Sequence, residues 1–466
     1  AAVAAALIPY CRFALRFGLA DYPDRFRKLH RQPVPIGGAV LAAAVILFLP
    51  GIVLFRHWFA FPVELTVTQL LPLLIAAGFI TAAGLIDDKW RLNGSVKLCC
   101  QVLAAFVITS FTNHPTSIIF FGLSVDLHHL FYPLAVFWLA GMVNSINLLD
   151  GADGVAAATS FFLALSAALI ACINGHYGAA LCSFCLAGCL VGFFLHNCPP
   201  ASVYLGDTGS MFIGLVLGTL LLQSCAAPDG AVRICAPLAA ALIPAVDVFF
   251  AIIRRINMSR PVFSPDRGHL HHLLYTKFSS EYLVLLFLVL LVFPGCAGAV
   301  AGTYYQNDSI PLVVSAAVLG IALVNDLFGR QELRMLFGRV KNIFRKRFNP
   351  ERYIAKDGET YQIQGKGGWK PLWHRIVSTA KKQQCRKLCL MLNMPYRGEN
   401  FFGNWENPES EYYETDVLVC RLDLAANGRS IGMLYAAFDR KNIDRRTVLR
   451  MVTELAADIE QRVAAA

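Results

Sequence analysis

Apolar runs of membrane-spanning length recur near residues 35–55, 67–86, 97–112, 128–146, 154–173, 177–195, 210–226, 234–253, 282–303 and 310–328. A helix needs roughly 20 residues to cross the hydrocarbon core of a bilayer, and the polar stretches between these runs are short. The apolar residues before Cys11-Arg12 are too few to span alone. Lacking a basic leader and a cleavage site, they read as the end of a first helix and not as a signal peptide. The pattern therefore predicts an all-α polytopic membrane protein, with about 11 transmembrane helices over residues 1–328.

After residue 328 the pattern changes. Residues 331–347 alternate apolar and basic positions at helical spacing. This predicts a basic amphipathic linker helix (329–350) lying on an anionic leaflet, although a solvated linker helix has the same spacing. Residues 351–466 read as a compact α/β domain. Lys356-Asp357-Gly358-Glu359 and Ala426-Asn427-Gly428-Arg429 look like hairpin turns, and 371–384 and about 443–463 look like amphipathic helices. That domain carries no catalytic motif.

Composition agrees: 56% of residues are hydrophobic and 15% charged, against about 25% charged in soluble domains. A soluble globular protein is thereby excluded. Residues 330–466 hold 25 Lys/Arg and 16 Asp/Glu, the other 329 residues 16 and 15. If the N-terminus is outside, the inner connections and their flanks carry 14 Lys/Arg, Lys28, Lys89, Lys97, Arg254 and Arg267 among them, and the outer ones only Arg56 and Arg233. Positive charge marks the cytoplasmic side, so the inner connections and the C-terminal α/β domain are expected in the cytosol, in the cytoplasmic membrane of a cell. The basic surplus suits an anionic leaflet, and no nucleic-acid partner is expected. Cys182, Cys185 and Cys189 sit in one apolar run and read as packing residues. Cys385 and Cys389 read as free thiols in a reducing compartment.

Five inner connections carry unusual polar clusters. The first runs from Arg27-Lys28 to Pro33-Val34-Pro35-Ile36-Gly37-Gly38, basic groups and glycines that suit either a loop meeting phosphate close to backbone or plain positive-inside charge with a turn. The second is Gly84-Leu85-Ile86-Asp87-Asp88-Lys89-Trp90; adjacent carboxylates repel unless a cation or hydrogen bonds compensate, though a surface loop tolerates them. The third, Asn144-Ser145-Ile146-Asn147-Leu148-Leu149-Asp150-Gly151-Ala152-Asp153-Gly154, places Asn147, Asp150 and Asp153 at i, i+3 and i+6, one side of a helix. The fourth, Tyr204-Leu205-Gly206-Asp207-Thr208-Gly209-Ser210, resembles an aspartic-protease string, but it occurs once and opens a membrane helix; a capping Asp or Ser is the plainer reading. The fifth is Ser264-Pro265-Asp266-Arg267-Gly268-His269-Leu270-His271-His272, where anion recognition fits better than zinc. Asp247, inside a run, suits a helix-pairing role as well as a direct one. His128-His129 reads as interfacial anchoring.

Each cluster is ambiguous alone, yet all five fall on one face of one membrane. Oxygen ligands select Mg²⁺ (or Mn²⁺), basic loops suit phosphate, and apolar helices suit a lipid. Together they suggest phosphoryl transfer from a nucleotide-linked donor to a membrane lipid. A secondary transporter is the competing class, but its acids belong near the midplane and in repeated halves.

These motifs, in this order over residues 10–328, resemble the polyprenyl-phosphate N-acetylhexosamine-1-phosphate transferase family. The histidine string is most similar to the N-acetylglucosamine-1-phosphate branch, and less so to the phospho-N-acetylmuramoyl-pentapeptide branch. The resemblance implies transfer of a sugar 1-phosphate from a UDP-sugar to undecaprenyl phosphate, releasing UMP and starting a lipid-linked glycan; another UDP-sugar or phospho-N-acetylmuramoyl-pentapeptide is the alternative donor. It implies Asp207 and Asn147 as magnesium ligands and Asp87 and Asp88 as the acidic pair near the lipid phosphate. Asp153 would meet uridine, with Asp150 and Asn144 in the same substrate-binding stretch. Lys28, Arg267, His269, His271 and His272 would hold anionic groups, His269 among the catalytic set with Asp207. Direct attack by the lipid phosphate and an aspartyl phosphosugar intermediate are the two mechanisms considered. A second copy of the chain and downstream glycosyltransferases are further candidate partners.

Overall fold

With no water in the hydrocarbon core, a spanning backbone must satisfy its own N–H and C=O groups, and helices do so. A computed structural model describes residues 1–22, 33–54, 66–111, 117–227, 231–257, 268–278, 280–325, 327, 333, 336–337, 359–364, 368–383, 385–394, 399–407, 417–426, 429–439 and 445–465. The chain divides into two compact units, Ala1–Ala251 with His269–Leu327, and Ile252–Gly268 with Phe328–Ala466.

Through Val324 the described helices are α1 (Ala2–Phe17), α2 (Gly38–Leu54), α3 (Val67–Trp90), α4 (Gly94–Phe111), α5 (Phe131–Leu149), α6 (Val155–Ile173), α7 (Tyr177–Asn197), α8 (Gly206–Ser224), α9 (Cys235–Ala240), α10 (Leu242–Asn257), α11 (Leu270–Lys277), α12 (Glu281–Tyr304) and α13 (Ser309–Val324). Seven of these, α3 to α8 and α12, are long and apolar enough to cross a membrane, and α2 and α13 are apolar but shorter. Two further apolar runs appear as α1 and as a helix broken at Ala241 into α9 and α10. The chain is a multi-pass membrane protein. The short α11 belongs to no apolar run; it carries the histidines.

The most buried of the long helices is α8, which packs on α2, α3, α5, α6 and α7. Small residues admit it. A Cβ added to Gly84 of α3 would lie 2.5 Å from Thr208 Cα, and one on Gly38 of α2 would lie 2.6 Å from Gly209 Cα. Lipid tails are as apolar as leucine, so membrane helices gain by such close approach and not by hiding oil from water. Of the two readings of Gly37-Gly38, a phosphate loop or a turn, the contacts are those of a turn: Gly38 begins α2 against the start of α8, and Gly37 N–H donates to the Tyr204 carbonyl at 2.8 Å. Short strands β1 (Ala20–Asp21) and β2 (Val34–Pro35) pair antiparallel, and Ile36 bridges Tyr204. Elsewhere β3 (Ser117–Phe120) lies between β4 (Leu123–Asp126) and β5 (Val232–Arg233). Cys182, Cys185 and Cys189 lie along α7 unpaired, and among the described residues no group of three or more His, Cys, Asp or Glu is arranged to hold a metal.

The second unit contains β6 (Glu359–Gln364), α14 (Lys370–Lys382), β7 (Cys385–Met394), β8 (Glu399–Glu406), β9 (Val417–Ala426), β10 (Arg429–Asp439) and α15 (Arg445–Ala465). The strands form one antiparallel sheet in the order β6-β8-β7-β10-β9. Alternation puts Leu388, Leu390 and Leu392 of β7 on one face, where they pack with Trp373 of α14 and Ile459 of α15. Both helices fall where the amphipathic pattern predicts them. Ala426 pairs with Arg429 across the second predicted hairpin. Most of the first predicted turn, and nearly all of the 329–350 linker, lie outside the described residues.

Candidate active site

The N-terminus of α8 is where the acidic motifs meet. An α-helix leaves its first backbone N–H groups unsatisfied and carries partial positive charge there. Asp88, from the last turn of α3, supplies the cap: one carboxylate oxygen accepts from Asp207 N at 2.8 Å, and the other from Thr208 N at 3.0 Å and from the Thr208 hydroxyl. The capping residue is thus contributed by a different helix, and Asp207 itself is left free to face its neighbours. Asp88 positions Asp207; both of its oxygens are engaged in doing so.

Asp87, one residue earlier, turns another way. Its Oδ1 accepts from Leu92 N at 2.6 Å, and its Oδ2 pairs with Lys97 of α4. Lys97 Nζ also lies 2.9 Å from Asp207 Oδ1. The Asn147 amide of α5 donates to the same Asp207 oxygen and to Ser210 Oγ at 2.9 Å. Two carboxylates so placed would repel in a low-dielectric setting, and Lys97 offsets that repulsion. Asn144, one turn deeper on α5, donates to Gln101 Oε1 of α4 at 2.6 Å and to the Ala140 carbonyl. It steadies the α4–α5 contact beneath the cluster. Side-chain oxygens of Asp87, Asp207 and Asn147, hard donors around a cationic group, suit Mg²⁺ or Mn²⁺.

The third motif does not run along one helix as its spacing predicts. α5 stops at Leu149, with Asp150 as its C-cap, and Gly154 at φ 75 begins α6. Gly154 marks the break between the helices, because a left-handed residue is readily adopted only without a Cβ. Asp150 accepts from the backbone of Gly206, and burial, with the charges of Asp207 and Asp88 added, raises its carboxyl well above the ordinary range. Asp153 turns to the Ala201 N–H at 2.8 Å. Asn147 and Asp150 therefore reach the start of α8, whereas Asp153 braces the segment that leads into it.

Gly151 of this loop makes room for the histidines. A Cβ there would lie 2.3 Å from His271 Nε2. The His271 ring is buried, stacks parallel to His269 at 6.0 Å and meets His272 at 4.2 Å. Among the described residues, neither ring nitrogen of His271 has a hydrogen-bond partner. Burial, then the neighbouring His272, pushes its pKa down to about 3, so the ring is neutral at physiological pH. His269 Nδ1 lies 3.1 Å from Asp247 Oδ2.

The structure thus gathers Asp87, Asp88, Asn147, Asp150 and Asp207, with the histidines against the loop that carries Asp150. Lys28 and Arg267 lie outside the described residues. Lys97 enters the sequence reading only as one positive charge among many. Its signal was its place at the start of an apolar run, since an ionisable residue in a membrane helix marks a partner or a site. Thr208, Ser210 and Gln101 carried no such signal.

A family model described as glycosyl transferase family 4 matches residues 70–225, the span from α3 to the end of α8. The chain is 31% identical over 285 residues to a probable undecaprenyl-phosphate N-acetylglucosaminyl 1-phosphate transferase of Bacillus subtilis, covering 60% of this chain and 76% of that one. It is 30% identical over 339 residues to a decaprenyl-phosphate N-acetylglucosaminephosphotransferase of Mycolicibacterium smegmatis, covering 67% and 82%. A phospho-N-acetylmuramoyl-pentapeptide-transferase of Caldanaerobacter subterraneus is 35% identical over 232 residues, 46% of this chain and 69% of that one. With its acidic motifs gathered at one helix end and these likenesses extending over most of its relatives' length, the chain belongs to glycosyl transferase family 4, the polyprenyl-phosphate N-acetylhexosamine-1-phosphate transferases.

Proposed function

We propose that this chain transfers N-acetylglucosamine 1-phosphate from UDP-N-acetylglucosamine to a polyprenyl phosphate at the cytosolic face of the cytoplasmic membrane, releasing UMP. The observation that carries this reading is the convergence of Asp87, Lys97, Asn147 and Asp207 at the capped start of α8. It joins two carboxylates, an amide and a cation where apolar helices end, which suits a diphosphate donor and a lipid acceptor. The sugar is taken from the relatives named for N-acetylglucosamine. In this reading the eleven apolar runs all cross the membrane, and the second unit is cytosolic.

A non-bridging oxygen of the lipid phosphate attacks the sugar-bearing phosphorus of the UDP-sugar. The new P–O bond forms as the bond to the UMP oxygen breaks, and UMP leaves with the electron pair. Lys97 neutralises phosphate charge at the acidic cluster, Asp88 holds Asp207 in place, and Asp87 keeps Lys97 directed to the same point. Asp207 and Asn147 would hold Mg²⁺, which when bound would neutralise the charge developing on the departing UMP. Lys28, Arg267 and the histidines would bind anionic oxygens, and Asp153 would meet uridine. Direct attack is preferred to an aspartyl intermediate because Asp87 and Asp207 both lie against Lys97, and an ion-paired carboxylate is a poorer nucleophile.

The test is transfer by the purified chain with Mg²⁺, undecaprenyl phosphate and a panel of radiolabelled UDP-N-acetylhexosamines. A lipid-linked product with stoichiometric UMP from UDP-N-acetylglucosamine is expected. No product from any sugar would sink the proposal.

A further inference from the structure

Asp247 is a second buried carboxylate of the membrane unit, outside the acidic cluster. It sits within α10 and is 2% exposed. A carboxylate at such a position is expensive unless it is hydrogen-bonded or paired. Its two oxygens grip the same short segment. Oδ1 accepts from Leu270 N at 3.0 Å, and Oδ2 lies 3.1 Å from Nδ1 of His269.

The first bond explains part of the arrangement. Leu270 is the first residue of α11 and His269 its N-cap, so Asp247 satisfies a backbone donor that the helix cannot. Capping alone would need only that one oxygen. The second bond is in excess of it and acts on a side chain. A carboxylate accepting from Nδ1–H fixes the imidazole tautomer and holds the ring plane. Nε2 is then the atom left for chemistry: an acceptor when the ring is neutral, a charged donor when it is protonated. The ring is also held from its other side. His269 is 4% exposed, and the parallel His271 ring occupies the space that Gly151 leaves in the acidic loop. The carboxylate of α10, the histidines of α11 and the loop beside Asp150 thus form one contiguous path toward the start of α8.

We propose that Asp247 is a positioning residue of the transfer reaction, fixing His269 so that Nε2 donates to an anionic oxygen of the bound phosphates. The proposal rests on the transferase reading above. An imidazolium donor held in place is worth most where negative charge moves between phosphate oxygens, because no reorganisation is needed at the moment of transfer. Asp247 itself touches no reacting atom.

The experiment is a double-mutant cycle in the purified full chain, with transfer from UDP-N-acetylglucosamine to undecaprenyl phosphate as readout. Asp247→Asn keeps an oxygen for Leu270 N but turns an amide N–H₂ toward Nδ1, so the ring keeps its Nε2–H without the positive charge. Its kcat should fall roughly 10²–10³-fold, the size of effect of one lost electrostatic contact to a transition state. Its KM for the UDP-sugar should stay within about threefold and its Tm close to that of the unaltered chain, whereas loss of a removed cap would appear in Tm. Asp247→Glu, which keeps the charge, should recover most of the rate. The double variant Asp247→Asn, His269→Ala should be no slower than His269→Ala alone, because the carboxylate acts through that ring. Full activity in Asp247→Asn, or losses that multiply in the double variant, would overturn the positioning role. Should Asp247→Asn fail to fold, Asp247→Glu carries the test against His269→Ala: a slow Asp247→Glu whose loss persists without His269 also overturns it. An unaltered chain that transfers no sugar phosphate would refute the transferase reading instead, and the positioning role with it.

Discussion

The interior around α8 and the interior of the five-stranded sheet are both buried, and they are made of different material. Around α8, glycine meets backbone and charged or amide side chains fill the end of the bundle. Under α14 and α15, large apolar side chains such as Trp373, Phe401 and Leu390 fill the space. The sheet folds by withdrawing oil from water. The membrane bundle gains little that way and relies on close backbone contact and mutual satisfaction of polar groups. The difference teaches where substitutions should act: on chemistry at the start of α8, on stability in the sheet unit.

The sharpest way to break that contrast is at Lys97 and Asp207. Lys97→Met or Asp207→Asn should slow UMP release roughly 10²–10³-fold, the range found for one lost electrostatic contact to a transition state. Near-normal release in either would remove the cluster from the reaction. Trp373→Ala tests the other side: a fully buried indole is lost, and about 3–5 kcal/mol of stability should go with it. Protease sensitivity of the second unit in the full chain reads that loss, while transfer should hardly change. The smallest effect concerns His271 and pH. Its folded pKa of about 3 lies below the ordinary 6.5, so the unfolded chain takes up the proton first as pH falls. The stability this neutral ring contributes is whole above pH 6.5 and is lost as pH falls toward 3, at up to about 1.4 kcal/mol per unit. His271→Gln should therefore flatten the acid limb of Tm against pH. Parallel curves for the two proteins would refute the buried neutral ring.

Much of this was legible in the chain. Apolar runs marked the long helices, the amphipathic pattern marked α14 and α15, and the second, third and fourth polar connections marked the acidic cluster. What stayed hidden depends on distances between helices. Asp87 and Asp88 read as an equivalent pair, yet one is paired with Lys97 and the other caps α8. Asn147, Asp150 and Asp153 read as one helical side, yet the chain leaves the helix after Leu149. Gly38 read as part of a loop and Gly84 carried no reading, and they set how near α2 and α3 come to α8. Asp247 read as a residue in search of a partner, and one partner is the N-cap of α11, 22 positions away.

Successive residues of a helix point about 100° apart around its axis, and α3 uses that angle as a gauge. Asp87 reaches Lys97 of α4 while Asp88 reaches the backbone of α8, so a rotation of α3 by one residue would undo both engagements together. The relative setting of Asp87, Asp88 and Asp207 is therefore carried by rods in contact, not by the loops that lead between them.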